Sequence, residues 1–214
     1  MKSAFDTSLV GPYTSEDANR ILVYRITGGQ LNHDYGNTAK LDKRHINDLL
    51  EFTEICRDLL KLPIKNEAFS YDEVSTRMLA AFGKIAAIAK QEIEKSPDNK
   101  QLYVERARAL YAIGDIEYFK AYEEACRKID EPKKQAELRL EYGFAAETFK
   151  RGDYGLLMVN NSDLETAILQ YYKALDISVE LNDMKLLNEA LDGLARTMLE
   201  EPIIPKPEFG KEKE

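Results

Sequence analysis

The sequence is poor in the residues that most often build reactive or metal-binding sites. Its 214 residues include two cysteines, two histidines and no tryptophan. Cys56 and Cys126 each lie within an apolar, helix-like pattern, so we expect buried thiols in a reducing compartment rather than a disulfide framework. His33 and His45 are twelve residues apart and form no His-x-x-x-His pair or Cys/His cluster. The sequence therefore predicts no metal site.

Long apolar runs and an excess of positive charge are also missing. No stretch approaches the roughly 18 apolar residues that a transmembrane helix needs, and residues 1–11 lack the apolar core of a signal peptide. We therefore expect a cytoplasmic protein without a membrane partner. The formal net charge is -8, and basic residues such as Lys40, Lys43 and Lys133 are scattered, without interleaved aromatic residues. This pattern does not favour a nucleic-acid partner.

The common motifs of catalysis and cofactor binding do not occur. Gly28 and Gly29 lack the lysine-serine pair of a phosphate-binding loop, and we interpret them as a turn. His33 precedes Asp34, but no nucleophile motif stands nearby. Carboxylate pairs such as Glu123 and Glu124 have the spacing of a solvated helix face. The sequence predicts no catalytic residue and no cofactor.

Helical periodicity dominates what is present. A cap signal at residues 14–17 predicts a helix near residues 15–27, although β-branched residues at 21–26 leave a strand as the alternative. A polar loop follows, and apolar residues from Leu41 to Leu60 predict an amphipathic helix that ends before Pro63. We interpret residues 1–65 as an N-terminal helical extension or cap.

From Tyr71 onward the chain is almost continuously helix-periodic, with turn signals at regular intervals. Pro97 and Pro132 are 35 residues apart, and Gly114 and Gly152 are 38 apart. Such spacings are typical of helix-turn-helix repeats. They predict an all-α fold of antiparallel helix pairs.

Individual residues within this period resemble the tetratricopeptide repeat. The features that carry the resemblance are Ala107, Gly114-Asp115, Ala121, Ala125 and Pro132 in one repeat, and Ala145, Gly152-Asp153-Tyr154 and the Ala167–Leu175 segment, AILQYYKAL, in the next. The resemblance covers roughly residues 66–201. It implies helix pairs stacked as a short right-handed superhelix. After the repeats, prolines at 202, 205 and 207 and a charged end predict a disordered tail at 202–214. A plain helical bundle is the alternative, because alanines at four-residue spacing also occur there.

The resemblance also implies a concave groove lined by the first helix of each pair. Its groove-facing positions correspond to Gln101, Val104, Arg108 and Tyr111 in one repeat and to Arg139, Tyr142, Ala146 and Phe149 in the next. Arginine and tyrosine are enriched at binding hot spots, so the implied partner is an acidic or aromatic-bearing peptide or helix. The alternative for these positions is a solvated helix face with tyrosines packed against their neighbours.

About ten extra residues, near 155–164, interrupt the second repeat. They include four consecutive apolar residues, Leu156, Leu157, Met158 and Val159. Exposed apolar residues in a loop are costly, so these either fold back on the helices or extend them, or they form a second contact with a partner or another copy.

Three function hypotheses follow from these observations. The first is a non-catalytic adaptor or scaffold that binds a peptide or helix of another protein in a helical groove. The second is a structural helical protein that assembles with itself as a homo-oligomer. The third is a helical enzyme whose active site carries no recognisable motif, and a deep polar pocket would favour it.

Overall fold

The computed structural model describes residues 14–34, 41–62, 70–150 and 161–199, and within these ranges the chain forms helices and no strand. The described helices are α1 (Ser15–Asp34), α2 (Lys43–Leu60), α3 (Tyr71–Lys95), α4 (Lys100–Ala112), α5 (Tyr118–Lys128), α6 (Pro132–Lys150), α7 (Asn161–Leu181) and α8 (Met184–Leu199). The predicted all-α class is confirmed. The predicted tail at 202–214 and the apolar residues at 156–159 lie outside the described residues.

The chain divides into two compact units, Met1–Ala125 and Cys126–Glu214, and within each unit most described helices pack on a neighbour in the chain. In the first unit α1 packs on α2, α2 on α3 and α3 on α4, and in the second unit α6, α7 and α8 pack on one another. This is the neighbour-to-neighbour packing expected of a helical array. The predicted division after residue 65 stays a prediction, although α2 packs directly on α3.

The first helix corrects the prediction for residues 28–34. The structure continues α1 through Gly28 and Gly29 to Asp34, so both the turn and the strand alternative were wrong. A β-carbon on Gly28 would lie 3.0 Å from Nη1 of Arg77 and 3.3 Å from Cε2 of Phe52. A helical glycine costs about 1 kcal/mol relative to alanine. The close packing of α1 on its neighbours offsets that cost.

Where the structure describes the turns between later helices, they agree with the sequence signals, and the turn predicted at Gly152-Asp153 lies outside the described residues. Gly114 has a φ of 71°, the left-handed region that glycine enters without strain, and it separates α4 from α5. Asn182, with a φ of 52°, separates α7 from α8. Pro132 is the first residue of α6, where its fixed φ and missing N–H suit a helix start.

The two cysteines are buried and neither forms a disulfide, as predicted. Cys56 is 0% exposed on α2, and burial raises the pKa of its thiol to about 12. Cys126 is 0% exposed near the end of α5. Both side chains therefore act as small apolar residues of the core.

The core of the second unit is organised around Tyr171 of α7, the tyrosine of the AILQYYKAL segment. Its ring lies against Gly143 of α6 and Gly193 of α8, and a β-carbon on Gly143 would lie 2.7 Å from the ring. The Tyr171 hydroxyl donates to Oε2 of Glu147 at 2.8 Å, and Nε of Arg196 donates to Oε1 of the same carboxylate at 3.3 Å. One buried carboxylate thereby joins α6, α7 and α8.

Candidate functional site

A cleft of about 300 Å³ opens where α2 and α4 begin. We call it the α2/α4 cleft, and its lining residues are Lys43, Arg44, Ile46, Asn47, Asn99, Gln101, Leu102 and Glu105. Both helices pack on α3, and the first turn of each faces the cleft. The lining therefore combines charged groups of both signs and carboxamides with two aliphatic side chains.

The α2 side of the cleft is fixed by a cap. Asp42 precedes the helix, and its carboxylate accepts a hydrogen bond from the backbone N–H of Arg44 at 2.9 Å. The backbone N–H of Asp42 donates to Nδ1 of His45 at 3.0 Å, which completes a capping box. The Arg44 side chain also binds Asp42, with Nη2 2.6 Å from Oδ2. The hydrogen bonds from the side chain and the backbone N–H of Arg44, of which the side-chain bond has the larger effect, hold the pKa of the Asp42 carboxyl well below its usual range.

The α4 side begins after the turn at residues 96–99. Tyr103 is buried, and its hydroxyl donates to the carbonyl oxygen of Pro97 at 3.1 Å, which anchors the turn. Asn99 precedes α4 but makes no side-chain capping bond. The amide of Gln101 donates to the carboxylate of Glu105, which is only 8% exposed. On the α4 side, the cleft is thus lined by the Gln101 carboxamide, which is hydrogen-bonded to the nearly buried carboxylate of Glu105.

The side chains of this lining can bind polar groups of a ligand. Lys43 and Asn47 can bind carbonyl or carboxylate oxygens, while Asn99 and Gln101 can bind either donors or acceptors of a peptide. Among the described residues, no group of three or more histidine, cysteine, aspartate or glutamate side chains is placed to hold a metal ion. Histidine and cysteine are also missing from the lining itself.

The structure places the predicted groove residues of α4 at three different depths. Gln101 is exposed and lines the cleft, and Arg108, two turns later, is also exposed. Tyr111 is half-buried and meets the ring of Tyr118 edge-on, with 5.6 Å between ring centroids. Val104 is 7% exposed and belongs to the core. Gln101 and Arg108 are thus the predicted α4 residues that present side chains to solvent.

The predicted groove residues of α6 point into the helix layer. Arg139 is 8% exposed and donates from Nη1 to Oε1 of Gln170 on α7 at 2.5 Å. Tyr142 is 4% exposed and Ala146 0%. This departs from the expected groove-facing orientation, because this side of α6 is covered where the helix packs against α7 and α8. The side chain of Phe149 lies outside the described residues. A binding role for these positions stays a prediction.

Sequence reasoning missed the α2 half of the cleft. Lys43 belongs to the scattered basic residues of the sequence, and Asn47 is part of no motif. The available signal was Asp42, a good N-cap residue followed by an amphipathic helix, which marks the start of α2. The sequence did not show that this start would lie beside Asn99 at the start of α4.

No described helix combines the length and apolarity needed to cross a membrane. No family model matches the chain, and no curated protein or solved structure matches it either.

Proposed function

We propose that the chain is a tetratricopeptide-repeat-like adaptor that binds a peptide or helix of another protein along the face formed by α2 and α4. It acts by positioning its partner, without a cofactor. The buried thiols of Cys56 and Cys126, which form no disulfide, support a cytoplasmic setting, since reducing compartments keep thiols reduced.

The observation that carries the proposal is the α2/α4 cleft. It opens at the first turns of α2 and α4, which both pack on α3, and it contains Gln101, one of the groove positions that the repeat resemblance implies. Its volume of about 300 Å³ is at the lower end of ligand sites, which suits one side chain or a short peptide segment. Arg108, exposed farther along α4, extends the polar surface beyond the cleft.

The chemistry of this face favours a partner with acidic or carbonyl-rich segments. Lys43 and Arg108 are exposed cations on its two helices, and Asn47 and Gln101 add carboxamides between them. Carboxamides and cations bind peptide carbonyls and carboxylates directly, while the nearly buried Ile46 and Leu102 form a small apolar part of the lining. The partner predicted from the sequence, an acidic or aromatic-bearing segment, is compatible with this lining.

Affinity capture with a double charge reversal tests the proposal. The variant Lys43→Glu with Arg108→Glu inverts both exposed cations of the face, and glutamate in the first turn of α2 is compatible with the helix dipole. We expect a partner captured by the native chain to be reduced by about tenfold with this variant. Circular dichroism and thermal unfolding verify that the variant remains folded.

The matched control is Lys61→Glu with Lys120→Glu, which changes the net charge equally at exposed positions outside the cleft lining. Capture that survives in this control but not in the cleft variant supports the proposal. Equal capture by both variants places binding elsewhere. Recovery of the chain alone, together with a dimeric mass in solution, favours self-assembly instead.

A further inference from the structure

We propose that the outer face of α7 binds a basic amphipathic helix of another protein. This face, which we call the α7 stripe, consists of Glu165, Leu169, Tyr172, Asp176 and Val179, all exposed to solvent. Leu169 is 50% exposed, Tyr172 44% and Val179 60%. The stripe shares no residue with the α2/α4 cleft, so this proposal does not depend on the proposed function.

The spacing of the α7 stripe matches what a second helix needs. Its members are separated by four, three, four and three positions, which places them along one side of the helix. The buried residues Leu164, Ala167, Tyr171, Ala174 and Ser178 repeat with the same alternation and form the face that packs within the second unit. Helix α7 therefore has two faces with helix-packing periodicity, and the described residues cover one of them.

Charge decides which kind of helix fits. Helix α7 carries four carboxylates, at positions 163, 165, 176 and 180, and one basic residue, Lys173. Glu165 and Asp176 lie within the α7 stripe, and Glu180, also exposed, borders it. A partner helix that places leucine or isoleucine on Leu169, Tyr172 and Val179 would bring its flanking residues beside these carboxylates. Lysine and arginine complement them, whereas acidic residues are repelled.

Helix α8 shows why exposure alone does not define such a site. It exposes Met184, Leu191 and Met198, which are 60%, 45% and 48% exposed. Its charged residues, however, are two basic and two acidic, at positions 185, 196, 189 and 192, so the face selects neither sign. The acidic bias is specific to α7, and it makes α8 a matched control surface.

Fluorescence anisotropy with three synthetic peptides tests the proposal on the full chain. Each peptide has about 18 residues, enough for five helical turns. The first places leucine at alternating three- and four-residue spacing with lysine on its flanks, the second replaces lysine by glutamate, and the third scrambles the first. We expect the basic amphipathic peptide to bind at least about tenfold more tightly than either of the others, and more weakly at high salt.

Two pairs of variants locate the binding. Leu169→Ala with Val179→Ala removes apolar area from the α7 stripe at exposed positions where alanine favours helix, and we expect about tenfold weaker binding of the basic peptide. Met184→Ala with Leu191→Ala makes the same kind of change on α8, and we expect less than about a twofold effect.

Several results would overturn the proposal. Equal affinity for the three peptides would show that neither charge nor periodicity determines binding. Equal losses of affinity in both variant pairs would show that the α7 stripe is not the binding site. A dimeric mass for the native chain that becomes monomeric in Leu169→Ala with Val179→Ala would assign the stripe to a second copy of the chain.

Discussion

The ring of Tyr171 lies so close to Gly193 that no side chain larger than hydrogen fits between α7 and α8 at this point. A β-carbon on Gly193 would overlap Cε1 of the ring. The same ring also contacts Gly143 of α6. The resemblance to a repeat pattern singled out the 167–175 segment, and the structure gives Tyr171 a physical role as the spacer between three helices.

Replacing Gly193 by alanine should destabilise the protein. The new methyl group forces Tyr171 or a helix backbone to move, and overpacking of this kind costs about 1–3 kcal/mol of unfolding free energy. Urea denaturation followed by circular dichroism measures the change. Gly83→Ala on α3 is the control, because its β-carbon would meet nothing within 4 Å, and we expect a gain of up to about 1 kcal/mol. A loss of stability in both variants would contradict the packing argument.

Replacing Glu147 by alanine should cost about 3 kcal/mol of unfolding free energy. The Glu147 side chain is 1% exposed and accepts hydrogen bonds from both Tyr171 and Arg196, which then lose their common acceptor. Denaturation by urea provides the measurement, with Glu137→Ala, at an exposed position of the same helix, as the control. Similar losses in the two variants would show that the carboxylate does not join the three helices.

Removing the hydroxyl of Tyr24 should not destabilise the protein. This hydroxyl is buried and has no hydrogen-bond partner among the described residues, while the ring stacks on Phe52 at a centroid distance of 5.8 Å. Burial raises the pKa of Tyr24 to about 12, which shows how strongly the site disfavours charge. Tyr24→Phe keeps the ring contacts and removes an unsatisfied polar group, so we expect unchanged stability or a gain of about 1 kcal/mol.

The contrasting variant is Tyr171→Phe, which removes a hydroxyl that donates to Glu147. We expect it to lose about 1–3 kcal/mol, because a buried carboxylate then lacks a donor. Thermal and urea unfolding of both variants make the comparison. A larger loss for Tyr24→Phe than for Tyr171→Phe would be inconsistent with the hydrogen bonding described above.

The cap at Asp42 should make stability depend on pH in the acidic range. Its pKa is lowered in the folded protein, chiefly by hydrogen bonds from Arg44, so the stabilisation is present above the unfolded pKa of about 3.9 and is lost as the pH falls towards the folded pKa. We expect Asp42→Asn to be less stable than the native chain at neutral pH, with a difference that shrinks on acidification.

Urea midpoints measured from neutral pH down to about pH 3 test this prediction. Asp98→Asn is the control, because Asp98 is exposed and makes no side-chain hydrogen bond or ion pair among the described residues. A difference for Asp42→Asn that stays constant over the whole range would show that its ionisation does not stabilise α2.

The sequence was sufficient to predict the helices but not the orientation of each helix face. Apolar periodicity and turn residues predicted α2 to α8. Both signals are local: the apolar spacing lies within each helix, and Gly114 adopts a positive φ by its own conformational preference. Arg139 and Tyr142 illustrate the limit. Their burial depends on how many helices cover α6, which the sequence of α6 alone does not encode.

The C-terminal part of α1 and the α2/α4 cleft also depend on contacts between helices that the local sequence does not encode. Gly28 favours a turn by its local preference, but contacts with Phe52 and Arg77 on other helices override it. The cleft joins Lys43 to Asn99, residues far apart in the chain, so only the packing of α2 and α4 on α3 brings them together.

The most direct test of the proposed adaptor role is site-specific photo-cross-linking in native lysate. A photoreactive amino acid replaces Gln101 in the α2/α4 cleft in one sample and the exposed Lys120 of α5 in another. We predict that position 101 cross-links a distinct protein through an acidic or aromatic-bearing segment and that position 120 does not. Cross-linking of the same protein from both positions, or of no protein other than a second copy of this chain, would contradict the account.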